Sequence, residues 1–177
     1  MNETATRAAG ATLPSLVSSI ARLIELPGVL TRGDVASLRR MDPRQPQAAF
    51  FKIEGLLLDD LLPGEAVART EMETRWAAIV AGLAHLGSLH RPGARLGQAL
   101  AAAELSEIRF ARLVRADPEQ LPDELPSLAR FLRAKGVEVD WSAAADLALS
   151  AGTPRETDVR RHIARDYYGR VARSVND

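Results

Sequence analysis

The spacing of apolar residues is the feature that most constrains how this chain can fold. Apolar side chains recur at intervals of three and four residues, and the alternating pattern of β-strands is almost absent. Alanine, leucine and arginine, which favour helices, dominate the sequence, whereas aromatic residues make up only 5% of it. The sequence therefore predicts an all-α protein.

Proline and glycine breaks divide the chain into about eight to nine predicted helices. A long central helix follows Pro63-Gly64 and runs to about residue 89, with apolar residues expected in the core. The stretch 137–139 alternates like a strand but is too short to build a sheet. The other predicted helices cover residues 13–25, 34–41, 47–62, 96–103, 106–115, 122–135, 142–150 and 154–173.

The sequence Arg91-Pro92-Gly93 marks the predicted boundary between the two halves of the 177-residue chain. We therefore predict two small packed helical bundles, an N-terminal one over residues 1–92 and a C-terminal one over residues 93–177. Ser106 and Asp140 are expected to cap helix N-termini, and Gly136 and Gly152 to end helices.

The formal net charge of the chain is zero, which argues against attachment to nucleic acid or to an anionic membrane by bulk charge. Of 23 basic residues, all are arginine except Lys52 and Lys135. Arginine is the better residue for bidentate contacts with phosphate or carboxylate groups. A GC-rich genome would produce the same bias, so composition alone leaves both interpretations open.

Cysteine is absent, so the chain has no disulfide and no thiolate chemistry. The N-terminal stretch MNETATRAAG lacks the pattern of a signal peptide, and no apolar run approaches the roughly 18 residues that span a bilayer. We expect a cytoplasmic protein that does not enter a membrane.

No motif for catalysis or cofactor binding is present in the sequence. The three histidines, His85, His90 and His162, do not have the spacing of a helical metal site, so no metal is expected. The segment GVLTRGD has glycines at phosphate-loop spacing but lacks the lysine that follows them in such loops. No nucleophile elbow appears either. We therefore predict no catalytic residues and no cofactor.

The C-terminal helix combines an apolar stripe with an arginine face. Arg161 and Arg165 lie nearly opposite the stripe, with Tyr168 beside them. Like charges four residues apart cost a helix about 0.2–0.5 kcal/mol, and Asp158 offsets this only for Arg161. The stripe expected to face the core consists of Val159, Ile163, Tyr167 and Val171.

Two further helices repeat this arrangement of arginines. Arg109 and Arg112 lie three residues apart on one helix, and Arg130 and Arg133 do so on another, beside apolar residues that point inward. Such faces bind phosphate groups or protein partners, or they merely keep the helices soluble. Spacing alone leaves these alternatives open.

Taken together, four segments resemble the CasB family, the small subunit of the type I-E CRISPR surveillance complex called Cascade. The resemblance lies in their order and spacing over roughly residues 30–170, since no single motif is specific. The segments are GDVASLRRM, RLGQALAAAELSEIRFARLVRAD, LPSLARFLRAKGVEVDW and VRRHIARDYYGR.

The resemblance implies an all-helical, non-catalytic protein built as two small bundles. It implies two stacked copies within Cascade, between the large subunit and the repeated backbone subunits. It also implies that the chain braces the CRISPR RNA and target DNA and holds the displaced non-target strand, which stabilises the R-loop. The alternative is a helical adaptor whose arginines contact only partner subunits.

The resemblance also suggests which arginines contact nucleic acid. Those that match the family's basic residues are Arg39, Arg40, Arg109, Arg115, Arg130, Arg160, Arg161 and Arg165. Arg91 and Arg155 lie in loops where relatives carry basic residues, with a looser alignment. Arg109 has a second interpretation, as a salt-bridge partner that is buried or faces another subunit.

Overall fold

The structure, a computed structural model, describes residues 12–174, so the polar N-terminal stretch MNETATRAAG lies outside the described residues. Within this range the chain forms nine α-helices and no strand, which confirms the predicted all-α class. None of these helices has the length and hydrophobicity needed to cross a membrane. The helices are α1 (Leu13–Glu25), α2 (Arg32–Arg40), α3 (Ala48–Ile53), α4 (Ala66–Leu86), α5 (Leu96–Ala102), α6 (Glu107–Arg115), α7 (Leu121–Lys135), α8 (Ser142–Ser150) and α9 (Glu156–Ser174).

Local capping explains where several of these helices begin and end. Thr31 and Asp34 form a reciprocal capping box at the start of α2, and Ser106 accepts a hydrogen bond from Arg109 N at the start of α6. Lys52 and the Thr31 cap together hold the pKa of the Asp34 carboxyl at about 2. Gly136 ends α7 in the left-handed conformation, as the sequence predicts.

The predicted helix over residues 47–62 has the right extent but an irregular interior. After α3 the chain makes a π-helical turn over Glu54–Leu58 and a 3₁₀ turn over Asp59–Leu61. Ile53 and Leu58 are both fully buried, although they are five residues apart. An ideal α-helix would turn one of them away from the core, and the wider π turn keeps both on one side.

Helix α4 is the centre of the molecule. From Trp76 to Leu86 every residue is buried except His85, which is half-buried. A helix that is apolar on all sides needs neighbours on all sides, and α1, α2, α7 and α8 supply them. The N-terminal half of α4 contains no buried residue, and there Arg69 bonds the carboxylates of Glu54, Asp59 and Glu73.

A tryptophan from the C-terminal half of the chain packs directly on α4. The Trp141 ring is fully buried against the backbone of Gly82, and its Nε1 donates a hydrogen bond to the Ile79 carbonyl at 3.1 Å. A Cβ at residue 82 would lie within 2.7 Å of Trp141 Cε2, so the approach requires glycine.

The central helix α4 packs most extensively against α7, which comes from the other half of the chain. The buried residues form one continuous cluster that extends from α1 to α9. The two predicted bundles therefore share a core in the described part of the chain, and the boundary at residues 92 and 93 stays a prediction.

Helices α5 and α9 form a second close contact, again at a glycine. A Cβ on Gly97 would lie 2.7 Å from Tyr167 N and would also collide with the Ile163 carbonyl. Tyr167 is buried beside this contact, where its ring stacks on Phe110 at 3.8 Å between centroids and its hydroxyl donates to the Leu105 carbonyl. The predicted core stripe of α9 is thus confirmed at Ile163 and Tyr167.

We expect the substitution Gly97→Ala to destabilise the protein by about 1–3 kcal/mol, because the new methyl group meets backbone atoms that cannot move aside. Urea denaturation followed by circular dichroism measures the loss. The matched control is Gly33→Ala in α2, where the nearest atom would lie at an ordinary 3.6 Å. Equal stability of the two variants would contradict the close α5–α9 contact.

The stretch predicted to alternate like a strand makes a single bridge, between His90 and Val139. His90 also joins two elements through its ring. The Trp141 backbone N–H donates to Nδ1 at 3.2 Å, so the neutral ring carries its proton on Nε2, which lies 3.4 Å from Ser18 Oγ in α1. Burial lowers the pKa of His90, while the nearby Asp140 carboxylate acts in the opposite direction.

Acidification is expected to weaken the fold through His90. A lowered folded-state pKa means that the unfolded chain binds more protons, so the free energy of unfolding falls as the pH drops through about 6.5 and below. Protonation of Nδ1 also removes the acceptor for the Trp141 N–H. We expect Tm to fall between pH 7.5 and pH 5.5, a range above the titration of the carboxylates.

Because the pKa of His85 is lowered as well, His90→Gln should remove part of this decrease in Tm rather than all of it. His162, which is exposed on α9, provides the control, and His162→Gln should leave the decrease unchanged. A decrease that persists in full in His90→Gln would contradict the role of His90.

Candidate nucleic-acid interface

The described residues contain no group of histidine, aspartate or glutamate side chains that could hold a metal ion. The candidate binding residues are the arginines. Their guanidinium groups fall into three sets: those bonded to backbone carbonyls, those paired with carboxylates, and those that extend from the surface without a partner.

Arginines of the first set bond the free carbonyls at helix C-termini. Arg75 donates to the carbonyls of Ala148, Leu149 and Ala151 at the end of α8, and Arg133 donates to Leu86 at the end of α4. The last carbonyls of a helix have no partner within it and carry partial negative charge, so these contacts stabilise the helix ends. Sequence spacing had not predicted this role, because each bonded pair is 47 or more residues apart.

Arg160, one of the predicted site residues, belongs to the same set. Its guanidinium donates to the carbonyls of Val114 and Ala116 at the end of α6 and pairs with Glu156 at 2.5 Å. Only 16% of its side chain is exposed. Arg160 therefore joins α9 to α6 inside the chain.

The two other predicted arginines of α9 extend into solvent. Arg161 pairs loosely with Asp158 at 3.5 Å, and 59% of its side chain is exposed. Arg165 is exposed and makes no ion pair or side-chain hydrogen bond with residues 12–174. The sequence-based expectation that Asp158 offsets only Arg161 is confirmed.

The two loop arginines pair within the chain. Arg91 bonds Glu138 at 2.7 Å, and Arg155 bonds both carboxylate oxygens of Asp146, at 2.7 and 2.8 Å. About two thirds of each arginine side chain remains exposed. Exposed pairs of this kind contribute little to stability, so either arginine can exchange its partner at small cost.

The arginines of α6 are exposed. The Arg109 guanidinium lies over the Phe131 ring of α7 at 4.9 Å, a cation–π contact that leaves its N–H groups available. It forms no ion pair with the described residues. Arg115, at the end of α6, is exposed and has no partner among residues 12–174.

Arg39 and Arg130 meet near the C-terminal end of α4. Arg39 Nε donates to the Ala84 carbonyl at 2.7 Å, while its two terminal nitrogens make no side-chain contact with residues 12–174. Arg40 follows it at the end of α2, exposed and without a described partner. Arg39 and Arg130 are both close enough to His85 to lower the pKa of its imidazole. The structure thus brings together two predicted residues that are far apart in the sequence.

An open groove of about 760 Å³ lies between α4, α7 and the loop before α3, but it contains none of the predicted residues. Its arginines are already engaged: Arg44 with Asp123, Arg112 with Glu124, and Arg75 at the end of α8. The groove therefore offers no unpaired arginine to a phosphate group.

The arginines that extend without a partner include three that the prediction did not name. Arg32, Arg170 and Arg173 are exposed and form no ion pair within the described residues. For Arg32 the sequence already indicates the missing partner, because no aspartate or glutamate lies three or four residues away from it. The unpartnered arginines in the described range that the prediction did name are Arg40, Arg115, Arg130 and Arg165.

Residues 34–168 match the family described as CRISPR-associated protein Cse2. The fold agrees with solved structures of that family. CasB from Thermus thermophilus has a TM-score of 0.67 at 23% identity, and the alignment covers 90% of this chain and 99% of that one. CasB from M. ruber has the same TM-score at 18% identity, with 94% and 98% covered.

Another solved structure of a Cse2-family protein from Thermus thermophilus has a TM-score of 0.66 at 21% identity, covering 90% of this chain and 99% of that one. No curated protein sequence gives a significant match. The helical fold and the family match make this chain a CRISPR-associated protein. It belongs to the Cse2 family, which confirms the predicted resemblance to CasB, the small subunit of Cascade.

Neighbouring arginines in α9 should differ sharply in their effect on stability. Arg160→Gln removes the partners of two carbonyls at the end of α6 and should cost about 1–3 kcal/mol. Arg161→Gln, its matched control, should change the free energy of unfolding by less than about 0.5 kcal/mol. Urea denaturation checks both, and equal losses would contradict the internal role of Arg160.

Proposed function

We propose that this protein is the non-catalytic small subunit of a type I-E Cascade, which braces the CRISPR RNA and target DNA and holds the displaced non-target strand through arginines. Family membership supports the placement in Cascade. The observation that carries the nucleic-acid role is the set of exposed arginines that no carboxylate of the described chain neutralises, on α2, α6, α7 and α9.

The energetics of an R-loop suit a few local contacts of this kind. Formation of the R-loop exchanges one duplex for another of similar stability, so modest contacts with the displaced strand can decide the outcome. Each phosphate neutralised on a single strand contributes about 0.7 to the salt dependence of binding. A chain with no net charge can therefore act through its free arginines.

The proposed partners are the large subunit and the repeated backbone subunits of the complex, together with a second copy of this chain. Arginines that already pair within the chain suit contacts with protein, because their carboxylate partners would repel a phosphate. Arg91 with Glu138 and Arg155 with Asp146 are of this type. We assign the unpaired arginines to nucleic acid and these two to the edges of the interface.

The test replaces the unpaired arginines that the family resemblance also indicates: Arg40, Arg115, Arg130 and Arg165, each changed to glutamine. In the assembled complex we expect retention of the target DNA to weaken by about tenfold or more, and the salt slope to fall by about 3 for four single-strand contacts. Competition with unlabelled DNA at several salt concentrations measures both.

The control variant removes the same charge from exposed arginines that their own chain engages: Arg22, Arg44, Arg95 and Arg112, also changed to glutamine. It should retain DNA as the unmodified complex does. If both variants behave alike, or if the first keeps full retention, the proposed role is wrong.

Photo-crosslinking distinguishes the proposed function from the alternative, in which this chain is a helical adaptor that contacts only partner subunits. A photoreactive displaced strand should crosslink to this chain in the assembled complex. Crosslinks to partner subunits alone would favour the alternative, in which the arginines contact only acidic surfaces of those subunits.

A further inference from the structure

We propose that Arg39, His85 and Arg130 form a single binding site for a nucleic-acid phosphodiester, in which His85 gains a proton when the phosphate binds. This inference rests on the proposed function, because it concerns how the same chain holds a sugar-phosphate backbone. It adds His85, which neither the sequence pattern nor the family resemblance marks as a binding residue.

Backbone contacts on both sides of His85 define the position of the site. Arg39 Nε, from α2, donates to the Ala84 carbonyl at 2.7 Å, and Arg133 Nη1, from α7, donates to the Leu86 carbonyl at 2.7 Å. Residue 85 therefore lies between the ends of α2 and α7. Arg130 precedes Arg133 by about one helical turn, so it lies on the same side of α7.

The charges around His85 are all positive. Arg39 of α2 and Arg130 of α7 both act on the ring through their charge, whereas the Arg133 guanidinium is bonded to the Leu86 carbonyl. No carboxylate of the described residues acts on the ring. The Arg130 guanidinium and the terminal nitrogens of Arg39 have no side-chain partner in the described chain. Two uncompensated cations beside a half-buried imidazole favour the binding of an anion there.

The anion would also change the protonation of the ring. Burial lowers the pKa of His85, Arg130 and Arg39 lower it further, and a hydrogen bond with the Arg39 backbone acts in the opposite direction. A phosphate between the two arginines would offset their charge and favour the imidazolium form. The bound state then holds more protons than the free state, so affinity must increase as the pH falls.

A phosphodiester suits the site because it keeps its charge across the whole range in which histidine titrates. Both arginines can donate to its non-bridging oxygens, and protonated His85 supplies a third donor. Any change of affinity with pH in this range therefore comes from a titrating group of the protein and not from the phosphodiester.

The experiment uses the full-length chain and a fluorescein-labelled oligothymidylate at constant ionic strength. We expect the affinity of the unmodified protein to increase about threefold from pH 8 to pH 6, because the bound state holds more protons than the free state. His85→Gln should bind with an affinity that does not change with pH. His162→Gln removes an exposed histidine outside the cluster and should keep the increase.

A direct measurement does not depend on the folding of the variant. The pKa of the His85 imidazole, followed by NMR in the unmodified protein, should be higher with the oligonucleotide than without it. An unchanged His85 pKa, or a pH dependence lost in His162→Gln and kept in His85→Gln, would overturn the site. Affinity that is independent of pH, or no binding even at millimolar oligonucleotide, overturns this inference alone. The proposed function fails separately, if the assembled complex of the arginine variant retains DNA in full.

Discussion

The burial of α4 on all sides is the constraint on which the rest of this structure depends. A helix that is apolar around its whole circumference cannot remain at the surface, so helices from both halves of the chain gather around it. Trp141 shows how closely they approach, because its ring occupies the space where a side chain at Gly82 would lie. The proposed arginines of α2 and α7 are positioned by direct packing on this helix.

One consequence is that the C-terminal end of α4 becomes a junction of basic residues. Packing of α2 and α7 on the same helix places Arg39 and Arg133 within hydrogen-bonding distance of its last carbonyls. The two arginines satisfy acceptors that the helix itself leaves free. Their position also holds His85 among positive charges, and this makes the end of α4 a candidate for anion binding.

The arginine-rich composition serves two purposes that the structure separates. Arg75, Arg133 and Arg160 bond carbonyls at helix C-termini and so join helices within the chain. Arg115 and Arg165, in contrast, have no partner within the described chain. A protein with zero net charge can thus present local positive charge, because many of its carboxylates are paired elsewhere in the chain.

The sequence by itself determined the fold class, the extent of most helices, several of their caps and the buried face of α9. These properties depend on residues within one or two turns of each other, and the spacing of apolar residues records them directly. The order of the four segments was also sufficient to indicate the Cse2 family. Even the partner of Arg161 could be predicted, because Asp158 is three residues away.

Only the tertiary structure decided which arginines are internal and which are free. Arg160 and Arg161 are neighbours in the same helix, yet the first bonds carbonyls 44 and 46 residues away and the second extends into solvent. The π turn after α3 and the meeting of Arg39, His85 and Arg130 were equally inaccessible to local spacing. Each depends on how distant segments pack around α4, and helical periodicity contains no information about contacts at that range.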